Sequence, residues 1–128
     1  MDNLVSAALG AREFAHAPYS NFKVGAALES NDGRIFTGCN IENATYGLTM
    51  CAERVAIFKA VSEGVRQFRR IAVAADTEHV TPPCGSCRQL LWEFCGDIEV
   101  TLANLRGTVE VFHMRELFPK AFDDTFLP

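Results

Sequence analysis

The order of apolar patterns along the chain predicts an α/β protein with a mixed sheet of about five strands. Three observations carry that prediction. Helical and strand periodicities alternate in the order helix, two strands, helix, strand, helix, strand, strand. Residues 71–75 form a short continuous apolar run, as in a strand covered on both faces. Asp32-Gly33 is the signature of a tight hairpin between the first two strands.

Taken in order, residues 2–15 place Leu4, Val5, Ala8, Leu9 and Arg12 at helical spacing, with Asp2 or Asn3 as the N-cap. Pro18 and Ser20-Asn21 break that helix. Residues 22–29 alternate, so Phe22, Val24, Ala26 and Leu28 share one face of a strand. After the turn Ser30-Asn31-Asp32-Gly33, residues 34–39 return as its partner. Residues 40–50 are a long polar connection, and loops of that length inside a compact domain are often functional. A helix over 51–63 carries Val55, Phe58, Lys59 and Ser62, and Gly64 stands where a glycine ends a helix. Beyond the 71–75 strand, Thr81-Pro82-Pro83 reads as a loop and 85–94 as a second long helix. Strands at 98–103 and 108–113 join around Asn104 and Gly107, and a helical turn at 114–118 precedes Pro119. There is no internal repeat or low-complexity stretch.

Composition bounds the function. With 128 residues and 48% hydrophobic content, residues 1–128 are expected to make a single domain with a real core. No apolar run approaches the ~20 residues of a membrane span. The start, Met1-Asp2-Asn3-Leu4, lacks the basic and apolar regions of a secretory signal. The expectation is a soluble cytoplasmic protein without a membrane partner. A net charge of −4 argues against the basic face of a nucleic-acid binder and is compatible with a small neutral substrate.

The chemistry gathers in two segments, Cys51-Ala52-Glu53-Arg54 and Pro83-Cys84-Gly85-Ser86-Cys87. Together they offer three thiolates and a carboxylate. Thiolates are soft ligands suited to zinc, which is usually tetrahedral, and three ligands leave the fourth position open as in catalytic sites. Water held there becomes much more acidic, and Glu53, two residues from Cys51, is placed to handle its protons. Both segments lie at helix starts, whose partial positive charge favours thiolates. Three thiolates around a zinc ion leave the site net negative, which weakens its Lewis acidity. Arg54 offsets this if it donates to a ligand cysteine. Five cysteines in all leave Cys39 and Cys95 apart from the cluster, read as small buried apolar residues. His16, His79 and His113 lack ligand spacing to the cluster and are read as non-ligands.

These segments resemble the zinc-dependent cytidine deaminases, in the small homotetrameric form with an all-cysteine site. The resemblance extends to Asn21-Phe22-Lys23-Val24-Gly25-Ala26-Ala27, to Gly38-Cys39-Asn40-Ile41-Glu42-Asn43-Ala44, and through Arg88-Gln89 after the cysteine pair. It implies a three-layer α/β/α arrangement and one zinc ion per subunit on Cys51, Cys84 and Cys87. It also implies hydrolysis of cytidine and deoxycytidine to uridine and deoxyuridine plus ammonia, in pyrimidine salvage. The reaction breaks the C–N bond of a cyclic amidine: zinc-bound hydroxide attacks C4 while Glu53 shuttles protons to N3 and to the leaving ammonia.

By the same resemblance Asn40 and Glu42 form a ribose clamp. An amide and a carboxylate suit hydroxyls that both donate and accept. Phe22 lines the pyrimidine site and the Ala52 N–H reaches O2 of the base. Tyr46 and Phe122, or Phe126 in place of Phe122, reach a neighbouring subunit's site in the homotetramer. Trp92 packs in the core or at a subunit contact. Two other classes compete. A polynucleotide deaminase wants a basic channel and stacking platforms, which the acidic balance opposes; an antibiotic deaminase has no need of Asn40 and Glu42. A non-catalytic zinc module needs a fourth ligand, for which Cys39 or Cys95 are the available cysteines.

Overall fold

A computed structural model describes residues 2–128. Strands β1 (Val24–Ser30), β2 (Ile35–Cys39), β3 (Phe68–Ala75), β4 (Glu99–Ala103) and β5 (Val109–His113) form one sheet in the order β2-β1-β3-β4-β5. Helices α1 (Asn3–Arg12), α2 (Ala52–Ser62) and α3 (Gly85–Cys95) pack on it, followed by the short α4 (Met114–Leu117). β3 and β4 are parallel and the other neighbours antiparallel. A parallel pair needs a crossover long enough to return the chain, and α3 supplies it.

The expected three layers form because β3 alternates between two apolar faces. Ala72 and Ala74 meet Leu4, Val5 and Ala8 of α1 on one side. On the other, Ile71 and Val73 meet Ala56, Ile57 and Ala60 of α2 and Leu91 of α3. Among the described residues no helix is long and apolar enough to cross a membrane.

Three local outcomes differ from the sequence reading. Helix α1 is capped at Asp2, whose Oδ1 accepts the Leu4 N–H at 2.8 Å, but it stops at Arg12. From there the chain tightens: the Phe14 and Ala15 N–H groups reach back three residues, to the Ala11 and Arg12 carbonyls. Phe22 lies outside β1, because Asn21 turns left-handed with φ of 57° just before it. The buried face of α2 is Ala52, Glu53, Ala56, Ile57 and Ala60, a face that the sequence reading did not single out. The C-terminus of α2 does end as expected at Gly64, with φ of 86°. The Gly64 N–H bonds Val61 O at 3.0 Å and the Val65 N–H bonds Ala60 O at 3.1 Å, a Schellman closure.

Alanines face the sheet because α2 lies almost against β2. A Cβ on Gly38 would fall 2.3 Å from Ala52 O and 2.6 Å from Ala56 N, both backbone atoms that cannot swing away. Gly38→Ala is therefore expected to push α2 outward, at a cost of about 1–3 kcal/mol as in other overpacked cores. Cys51 and Glu53 travel with that helix. Thermal unfolding and zinc content measured together check this: a variant with wild-type Tm and full metal would show that α2 has room to spare.

Candidate active site and metal centre

Cys51 is the N-cap of α2 and Cys84 the N-cap of α3, both with extended backbone, and Cys87 lies in the first turn of α3. The two helix starts meet, and the three sulfurs lie within 4.8 Å of one another. Met50, just before Cys51, is fixed by paired backbone hydrogen bonds with Ile41, each 2.9 Å. The turn before Cys84 is fixed by Arg88, whose Nε donates to Pro83 O at 2.7 Å and Nη1 to Leu117 O at 2.6 Å.

The donor set fits zinc. Zinc–sulfur bonds of about 2.3 Å put tetrahedral sulfurs roughly 3.8 Å apart, within the spread seen here. Among the described residues no fourth histidine, cysteine, aspartate or glutamate joins the three cysteines. Cys39 and Cys95 are half-buried and outside the cluster, and burial pushes the Cys95 thiol up to about 12. His113 is the N-cap of α4 instead, its backbone N–H donating to Glu116 Oε1 at 2.9 Å. Within the cluster, hydrogen bonding from Cys87 brings Cys51 down to about 6, with the Arg54 charge assisting. Cys87, buried and acting as the donor, is held strongly toward its protonated form.

Glu53 is only 4% exposed. Burial raises its carboxyl to about 7, and the neighbouring Cys51 charge adds to the rise. Arg54 is partly desolvated, which disfavours its charge; hydrogen bonding to Cys87 and attraction to all three cysteines outweigh that. Its Nε is buried without a hydrogen-bond partner among the described residues.

A cavity of about 200 Å³ opens onto this cluster, lined in part by Phe22, Asn40, Cys51, Ala52, Glu53 and Cys84. A second, of about 350 Å³, is lined by Tyr19, Ser20, Glu42, Asn43, Tyr46 and Thr49. Thr49 lines both, so the two adjoin, and the chemistry sits in the smaller. Phe122 lines neither; it stacks on Phe126 with ring centroids 5.8 Å apart, 57% exposed. Trp92 is half-buried against the α2–α3 core and donates Nε1 to Asp123 at 3.1 Å, so α3 holds the C-terminal segment.

Asn40 and Glu42 do more for their own chain than the sequence indicated. Asn40 Nδ2 donates to Phe22 O at 2.7 Å and its Oδ1 accepts the Val24 N–H at 2.9 Å. Glu42 accepts the Tyr19 and Ser20 N–H groups at 3.0 and 3.1 Å. Two roles escaped the sequence reading. Ser20 looked like a helix breaker, and Arg88 was placed in the family-like segment without the part it plays in fixing the turn before Cys84.

Comparison with known proteins agrees with this geometry. The family model for the cytidine and deoxycytidylate deaminase zinc-binding region matches residues 1–103. A cytidine deaminase of Sporosarcina psychrophila is 53% identical over 123 residues, covering 95% of this chain and 90% of the relative. The crystal structure of a cytidine deaminase from Burkholderia pseudomallei superposes with a TM-score of 0.90 at 52% identity, covering 95% of this chain and all of that one. The cytidine deaminase from Mycobacterium tuberculosis gives 0.81 at 38% identity, covering 94% of each chain.

Proposed function

We infer the role of each residue from one premise: this chain belongs to the cytidine and deoxycytidylate deaminase zinc-binding family. It is a zinc-dependent hydrolase that converts cytidine to uridine and ammonia. The observation that carries the residue assignment is the meeting of three thiols, two of which, Cys51 and Cys84, line one cavity together with the buried Glu53.

Cys51, Cys84 and Cys87 hold the zinc ion, which when bound supplies a Lewis acid that acidifies water. Glu53 moves the protons. Its carboxylate takes one from the attacking water and gives it to N3 of the ring as oxygen adds to C4. It then takes the proton of the new C4 hydroxyl and delivers it to the exocyclic nitrogen, so the C4 carbonyl forms as the C4–N bond breaks and ammonia leaves. A carboxyl poised near neutrality suits both directions of transfer. Arg54 withdraws charge from the sulfurs it faces. Phe22 lines the base, and the Ala52 N–H, free of intrahelical bonds in the first turn of α2, serves O2.

Asn40 and Glu42 hold the sugar. Each retains capacity beyond its internal bonds: a second Nδ2 hydrogen on Asn40 and further lone pairs on Glu42. Deoxycytidine, which carries the same base and the same reacting C4, is a substrate as well. The exposed Tyr46 and Phe122 complete the sites of neighbouring copies in a homotetramer. The chain works as one deaminase domain, residues 1–128, in cytoplasmic pyrimidine salvage.

The direct test follows the ultraviolet absorbance of cytidine with enzyme as isolated, after a zinc chelator, and after zinc is restored. Loss on chelation and recovery on restoration are expected. Turnover that persists in zinc-depleted protein would overturn the assignment of the three cysteines.

A further inference from the structure

Ser20 lies where the two cavities' working parts are joined. Its hydroxyl donates to Glu42 Oε2 and accepts the Phe22 N–H at 3.0 Å. The Phe22 carbonyl accepts Asn40 Nδ2, so side chains rather than a strand neighbour hold both backbone polar groups of Phe22. The residue between, Asn21, is in the left-handed region at φ 57°. Such a turn is set by what restrains it from outside.

We propose that Ser20 is a positioning residue for nucleoside recognition: its hydroxyl joins the Glu42 carboxylate and the Phe22 backbone into one unit, so that sugar and base are registered together. The inference rests on the reading above in which Glu42 holds the sugar and Phe22 lines the base.

The polarity of the link is fixed. A hydroxyl has one hydrogen, and an ionised carboxylate only accepts. That hydrogen therefore points to Glu42, and an oxygen lone pair faces the Phe22 N–H. Hydrogen bonding from Ser20 accordingly holds the Glu42 carboxyl below its ordinary range. Alanine at this position removes both of the hydroxyl's bonds at once and leaves Glu42 on the Tyr19 and Ser20 N–H groups alone. Ser20 is exposed, so water can satisfy the groups left behind, and the fold should tolerate the change while the registration is lost.

The experiment uses the full-length zinc-loaded enzyme and compares wild type, Ser20→Ala, Ser20→Thr and Glu42→Ala on two substrates. One is cytidine; the other is 2′,3′-dideoxycytidine, whose ring sugar lacks both hydroxyls. Ser20→Ala is expected to lower kcat/KM for cytidine about tenfold, mostly through KM, the scale of one lost charge-assisted hydrogen bond. Its loss on the dideoxy substrate should be clearly smaller, and Ser20→Thr, which keeps the hydroxyl, should restore cytidine turnover. A purely structural serine would cost both substrates alike. Equal losses, or an unchanged cytidine KM, overturn the proposal. If Glu42→Ala itself leaves the cytidine KM unchanged, the sugar reading is what fails. If Glu42→Ala raises KM and Ser20→Ala does not, the Ser20 link alone fails. Should Ser20→Ala not fold, Ser20→Cys, of similar shape with a weak donor, carries the same expected rise in KM.

Discussion

Replacing Glu53 by glutamine is expected to lower kcat on cytidine by about 10²–10⁴-fold, the range lost when a positioned general acid–base is removed. KM should change little and zinc should stay bound. The amide keeps the shape of a side chain only 4% exposed, so packing beneath α2 is preserved. It also stays neutral, the form that burial already favours for the native carboxyl. Thermal stability should therefore not fall, which separates lost chemistry from lost structure. Glu53→Ala should lose as much activity but leaves a void behind it. Steady-state kinetics with metal analysis of the same preparation decide the matter. A Glu53→Gln enzyme running near the wild-type rate would remove this carboxyl from the proton path.

The second large effect is expected at Cys87. It is fully buried, with its sulfur within 4.8 Å of the other two. Cys87→Ala removes one of three zinc ligands and the hydrogen-bond partner of Cys51. Zinc should be lost on dialysis, and turnover should fall on the order of 10⁴-fold or more, because no other group present acidifies water comparably. The protein should remain folded, since both apolar clusters flanking the sheet are formed without the metal site. A lower Tm is expected, as a ligand that binds only the native state stabilises it. Equimolar zinc and near wild-type turnover in Cys87→Ala would show that another residue completes the ligand set.

Much of the arrangement was legible from the chain alone, for identifiable reasons. Period-3.6 and period-two patterns located the first helix and strand, a continuous apolar run located the later part of β3, and the alternation of helices with strands gave the mixed sheet. The three cysteines and Glu53 were legible because their chemistry is distinctive and their spacing puts them at helix starts. The misses have physical causes as well. The first part of β3 was hidden by Arg69 and Arg70, which look like loop residues until Glu29 and Asp2 arrive to pair with them. The buried side of α2 was hidden because small residues carry it: against Gly38 there is no room for large ones, so alanines face inward and Phe58 turns partly outward. Phe22 was placed in a strand because it continues the alternation. Only the side chains of Ser20 and Asn40, one from a turn and one from beyond β2, reveal that its backbone is bound otherwise.

The zinc ligands come from two helix starts on opposite sides of β3 in the chain, so no short peptide of this sequence contains the site. All three sulfurs can grip the cation only once α2 and α3 have docked. Full occupancy thereby reports tertiary assembly, and zinc uptake followed during refolding would time the moment the two helix starts come together.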